Sequence, residues 1–96
     1  MQTAKSDLLA IKAYIGMNSV YYAEKTVYEI KKRIDKLLIF PYMGRCVPEF
    51  NSKLIRELIY KSYRIIYYVS ISKNIYILKI LHHSQNILYF KSKLFH

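Results

Sequence analysis

The hydrophobic period of this 96-residue chain changes once, and that single change limits the folds open to it. Before Phe40, apolar residues recur every three or four positions. Val20, Ala23, Val27, Ile30, Ile34 and Leu37 form one stripe, the pattern of an amphipathic helix. Ala4, Leu8, Ile11 and Ile15 form a second, with Lys5, Asp7 and Lys12 facing elsewhere. Gly16 and Asn18 stop the first helix, and either Asn18 or Ser19 can cap the next. Two striped helices joined this closely make an antiparallel hairpin, whose shared apolar seam needs a further element to cover it.

After Ser52 the period is two. Residues 53–60, 63–70 and 74–82 are rich in Ile, Tyr, Val and Leu and read as strands. Their connections, Lys61-Ser62 and residues 71–73, are short enough to make both pairs antiparallel hairpins. In the middle strand Tyr63, Ile65, Tyr67 and Val69 point one way, while Arg64, Ile66, Tyr68 and Ser70 point the other. Apolar bulk on both faces implies that neither is fully solvated. The expectation is the helix hairpin on one face and a ligand or partner groove on the other. Pro41 biases Phe40 away from helical dihedrals, and residues 41–52, with Gly44 and Pro48, read as an irregular crossing loop. Near the end, Ile87, Phe90 or Lys91, and Leu94 fit a short basic helix that needs docking to persist. The whole reads as one α+β domain over residues 1–96. An antiparallel helix hairpin at about 3–40 packs on a small antiparallel sheet of three strands at about 53–82, with a loop at 41–52 and a basic tail at 84–96.

Charge narrows the function classes. Sixteen Lys and Arg stand against six Asp and Glu, a formal net charge of +10. From residue 53 onward there are eight basic residues and a single acid, Glu57. A field of that sign concentrates polyanions or acidic proteins near the strand-rich half. The one cysteine, Cys46, has no internal partner, which suits a reducing cytoplasm. No apolar run approaches the ~18 residues of a spanning helix, and no secretory leader is expected ahead of the first stripe. The histidines and cysteine lack metal-ligand spacing, Cys46 has no activating neighbours, and two glycines cannot build a phosphate-cradling loop. No cofactor is expected.

Several short pieces recur in a familiar order. They are Ala4, Asp7-Leu8 and Tyr14-Ile15 in the first helix; Pro41, Met43-Gly44-Arg45 and Pro48-Glu49 in the loop; Arg56-Glu57-Leu58 and Tyr63-Arg64-Ile65-Ile66-Tyr67 in the strands; and Ile80-Leu81-His82 at the end of the last. Together, from about Ala4 to Ile87, they resemble the RelE/ParE superfamily, small growth-inhibiting toxins of bacterial type II toxin-antitoxin and plasmid-stabilization modules. The loop and the HHSQNI turn look more like the ParE branch. The resemblance also implies a short strand before the first helix, for which Met1 leaves no room. That strand is expected to be missing, through a start further upstream, completion of the sheet by another chain, or a degraded copy.

The resemblance implies two target classes. ParE-type toxins bind DNA gyrase and are not themselves enzymes, whereas RelE-type toxins enter the ribosome and cut messenger RNA. Cutting RNA needs a base, an acid and a cation beside the developing charge. By position, Arg64, His82, His83 and Tyr89 are the catalytic candidates on a RelE-like reading. Arg56, Lys61, Arg64 and Lys79 are the candidates for contact with a target or with nucleic acid. A second arginine expected after the last strand is replaced by Ser84, Gln85 and Asn86, which favours the ParE reading. Each candidate also has a structural reading: Arg64 can pair with Glu57 across the hairpin, and His82 can be a strand-end residue bonded to a turn. An acidic, partly disordered antitoxin is the implied partner, with no membrane involved. A further reading is a plain nucleic-acid-binding module that stacks bases on Tyr60, Tyr63, Tyr67, Tyr68 and Tyr76.

Overall fold

The computed structural model describes residues 4–82, 85 and 87–94. The two stripes become α1 (Ala4–Gly16) and α2 (Val20–Asp35), the latter running into a 3-10 turn at Lys36–Leu38. Ser19 is the cap. Its Oγ accepts from the Tyr22 backbone N–H at 3.2 Å, satisfying one of the donors a helix start leaves free. α2 buries Ala23 and Ile30, and Leu37 carries the stripe through the 3-10 turn.

α1 departs from expectation at Asp7, which does not face away from the protein. It is the buried residue of this helix, while Ala4, Leu8 and Ile11 pack half-buried against the core. The reason is that both carboxylate oxygens find donors. Oδ1 accepts from Lys79 Nζ at 2.8 Å and Oδ2 from the Ile80 backbone N–H at 3.0 Å. A buried carboxylate is tolerated when it is paired and hydrogen-bonded in this way.

Among the described residues the sheet has four antiparallel strands in chain order: β1 (Arg45–Cys46), β2 (Ile55–Tyr60), β3 (Tyr63–Val69) and β4 (Ile75–His82). Three were expected. The extra one is a two-residue strand inside the supposedly irregular loop, where Arg45 faces Glu57 and Cys46 faces Arg56. The strand expected to be missing ahead of the first helix falls outside the described residues. Between β3 and β4 the register slips: Ile66 faces Lys79 but Tyr67 faces Ile77, leaving Leu78 as an extra residue. This bulge lets Ile75, Ile77 and Ile80 all pack under the helices although their spacing breaks strict alternation.

Both faces of the sheet are covered. Under the hairpin, Leu58, Tyr60, Ile65, Tyr67, Val69 and Ile80 form one cluster with Ile30 and Leu37. On the other face, where a partner groove was expected, the chain supplies its own cover. Val47 and Phe50 from the loop and Ile87 from α3 (Ile87–Leu94) pack on Ile55, Ile66 and Leu81. Lys91 anchors α3 by donating to the Glu49 carbonyl at 2.7 Å.

Candidate functional site

Arg64 stands on the second face of β3, diagonal to Glu57 on β2, because Leu58 faces Ile65 and Ile59 faces Arg64. Each of its three nitrogens donates to a carboxylate. Nε meets Glu57 Oε1 at 2.5 Å, and the two terminal nitrogens take Glu49 as a fork, at 3.0 and 3.3 Å. Glu57 is fully buried and receives a second guanidinium, Arg45 Nε, at 2.6 Å. Cross-strand pairing, the structural reading of Arg64, is therefore what the fold builds, enlarged to a network of two arginines and two glutamates. The hydrogen bond from Arg64 holds Glu49 below the usual carboxylate range, and the Glu49 hydrogen bond, followed by that of Glu57, raises the Arg64 pKa further. A guanidinium held this way is aimed at glutamates and has no free fork turned toward a phosphate.

Arg56 is spent on the loop. Nε donates to the Lys53 carbonyl at 3.0 Å, one terminal nitrogen donates to the Gly44 and Tyr42 carbonyls at 2.8 and 3.3 Å, and the guanidinium lies 5.1 Å from the Tyr42 ring centroid. Tyr67 works on the same loop from beneath. Its hydroxyl accepts from the Gly44 N–H at 3.0 Å and donates to the Pro41 carbonyl at 2.9 Å. Burial raises the Tyr67 pKa, opposed by the Gly44 hydrogen bond and the nearby Arg56 charge, so the phenol stays neutral and can donate. Only glycine fits at 44: a Cβ there would lie 2.5 Å from the Glu57 carbonyl oxygen and 2.7 Å from the Tyr67 hydroxyl.

The remaining candidates are scattered. Lys79, on the edge strand, is tied to Asp7 at 2.8 Å. Lys61 is exposed at the β2–β3 turn with a left-handed φ of 51°. His82 faces Tyr63 across β3–β4, ring centroids 5.3 Å apart, whereas its neighbour Leu81, opposite Arg64, belongs to the other face. His82 and Arg64 thus point to opposite sides of the sheet. The Tyr63–His82 pair opens into a cavity of about 390 Å³ lined also by Ala10, Ile11, Tyr14 and Gln85. Burial raises the Tyr63 pKa. Tyr89 is exposed on α3. His83 lies outside the described residues. Of the five tyrosines considered as stacking platforms, Tyr60 and Tyr67 are buried, and Tyr68 and Tyr76 lean on each other with centroids 6.1 Å apart.

Sequence reasoning missed Asp7, Arg45 and Glu49 as structural ligands. The signal was the scarcity of acids: with six against sixteen bases, an acid off the solvated face of a helix has an arginine or lysine within reach. Among the described residues, no three His, Cys, Asp or Glu side chains sit where they could hold a metal, and no helix is long and apolar enough to cross a membrane.

Comparison with known proteins agrees with this geometry. The structure is similar to a solved structure described as the chromosomal ParDE TA system from P. aeruginosa, with a TM-score of 0.67 and 25% identity, covering 85% of this chain and 89% of that one. No curated protein matches. The family model for the ParE toxin of the type II toxin-antitoxin system parDE matches residues 1–87. With two helices on an antiparallel sheet and a stapled Pro41–Gly44 loop in the order those residues require, the chain belongs to the ParE toxin family.

Proposed function

We propose that this chain, the toxin component of a type II toxin-antitoxin module, arrests bacterial growth in the cytoplasm by binding DNA gyrase, without cutting RNA. The observation that carries the choice of target is the engagement of Arg64. The cation that a RelE-like nuclease would turn toward a phosphate is held by Glu57 and Glu49, and His82 lies on the opposite side of the sheet. Proton transfer and charge stabilisation have to converge on one phosphate to cut it, and these groups do not converge. A toxin that acts by occupying a protein surface needs no such convergence. Its requirement is a rigid, basic, partly apolar exterior, and exposed Leu38, Ile39, Phe40, Tyr42 and Met43 beside the Arg56-stapled loop provide one. A cognate antitoxin is the expected partner. An acidic chain that buries such apolar groups while pairing with the surplus lysines matches this exterior in charge and polarity.

The test is a pulse-labelling time course after induction in bacteria, following thymidine and amino-acid incorporation over the first minutes, with gyrase supercoiling assayed beside it on the purified chain. DNA synthesis is expected to fail first, and supercoiling to be inhibited. Translation failing first would replace this reading with the messenger nuclease, and no arrest of either would refute it outright.

A further inference from the structure

The outer side of α2 carries a feature that the Arg64 network does not use. Tyr21, Lys25, Tyr28, Lys32 and Lys36 step by four, three, four and four, a single stripe on the side opposite Ala23 and Ile30. All five are exposed. Lys32 Nζ lies 5.9 Å from the Tyr28 ring centroid. At the core-facing edge of α2, the ring of the buried Tyr60 is bracketed by the Arg33 guanidinium at 4.3 Å and Lys61 Nζ at 5.5 Å. Lys25, Lys32 and Lys36 form the basic patch of this stripe. The acid inside it, Glu29, is already engaged by Arg33 at 2.7 Å, while Glu24 and Asp35 flank the tyrosine side. Among the described residues, Lys25, Lys32, Lys36 and Lys61 make no ion pair.

We propose that this patch binds the phosphate backbone of duplex DNA without reading sequence, so that the toxin holds the DNA on which its target works as well as the target itself. Lys25 to Lys36 spans about 16 Å of helix, the rise of about five phosphates along one strand. Unpaired lysines release counterions on meeting a polyanion, and tyrosine hydroxyls interleaved with them can donate to phosphate oxygens. The stripe carries no Asn or Gln to read adenine and no Arg fork to read guanine, and its lysines are assigned to phosphates, which carry no sequence information.

Fluorescence anisotropy with a labelled duplex, titrated with the full chain over a range of salt, tests this. The triple variant Lys25→Gln, Lys32→Gln, Lys36→Gln is compared with a charge-matched control, Lys5→Gln, Lys12→Gln, Lys53→Gln, both checked for native melting. The patch variant should lower the slope of log K against log salt by about 2.7, near 0.9 for each phosphate no longer neutralised, and the control by less than about 1. Equal reductions in the two variants, or none in the first, overturn the proposal. Tighter binding of poly-L-glutamate than of duplex at matched charge also overturns it, in favour of an acidic protein surface. Gyrase inhibition by the wild type keeps the two readings apart: if it is absent, the gyrase target falls while the isotherms still decide the DNA surface.

Discussion

Replacing Arg64 by methionine keeps an unbranched apolar stem and removes the charge that Glu57 and Glu49 share. Glu57 is fully buried, and after the change its remaining cation among the described residues is Arg45, whose side chain is 64% exposed. Breaking a buried ion pair costs about 3–5 kcal/mol, and the surviving Arg45 pairing puts this case at about 3 kcal/mol. Glu49 is 30% exposed, so water screens its share to at most about 1 kcal/mol of that total. With a urea m-value of about 1.5 kcal/mol per molar, the unfolding midpoint should fall by about 2 M, read by far-ultraviolet circular dichroism. The cause can be isolated by a cycle with Glu57→Gln, which removes the buried charge itself. The double variant should be more stable than the sum of the two losses by about 1.5 kcal/mol or more. A loss below about 1 kcal/mol for Arg64→Met, or strict additivity in the cycle, would refute the structural account of this arginine. Growth arrest by the variant should track its folded fraction.

Gly44→Ala forces a Cβ to within 2.5 Å of the Glu57 carbonyl oxygen and 2.7 Å of the Tyr67 hydroxyl, atoms that cannot swing aside. The expected cost is about 2 kcal/mol, a fall of about 8–16 °C in Tm by calorimetry, and an unchanged Tm would show that the loop is not held this tightly. Acid stability offers a separate check through Glu49, whose pKa in the folded protein lies below the ordinary value of 4.5 because of its hydrogen bond to Arg64. A depressed carboxylate contributes stability that is present above its unfolded pKa and is lost as pH falls through the folded one. Tm measured downward from about pH 6 should therefore decline more steeply for wild type than for Glu49→Gln, and parallel curves would count against the pairing.

The elements were legible because their signals were local. Ser19 caps a helix by its own hydroxyl, the stripe from Val20 to Leu37 has a single period, and the two hairpins have short connections. What escaped was set by contacts distant in sequence. Arg45–Cys46 becomes a strand because Glu57 and Arg56 face it, not because two residues carry a pattern. The bulge at Leu78 realigns Ile75 and Ile77 with Ile80, which alternation alone cannot foretell. At the candidate site the possible pairing of Arg64 with Glu57 could be read from strand register, yet the fork to Glu49 depends on the path of the loop. Asp7 was misread because periodicity assigns a face by angle, and a carboxylate at the margin of a stripe turns inward when a lysine and a backbone donor wait there.

Asp7 also bears on how the chain comes into being. Its two partners lie 72 and 73 positions later. On a ribosome adding about 5–20 residues per second, they follow it by about 4–15 s. Through that interval α1 carries a carboxylate without its lysine, above a strand that has not yet been made. The last strand therefore closes the helix-covered face, and a partner that recognises the open hairpin meets the nascent chain before its finished surface exists.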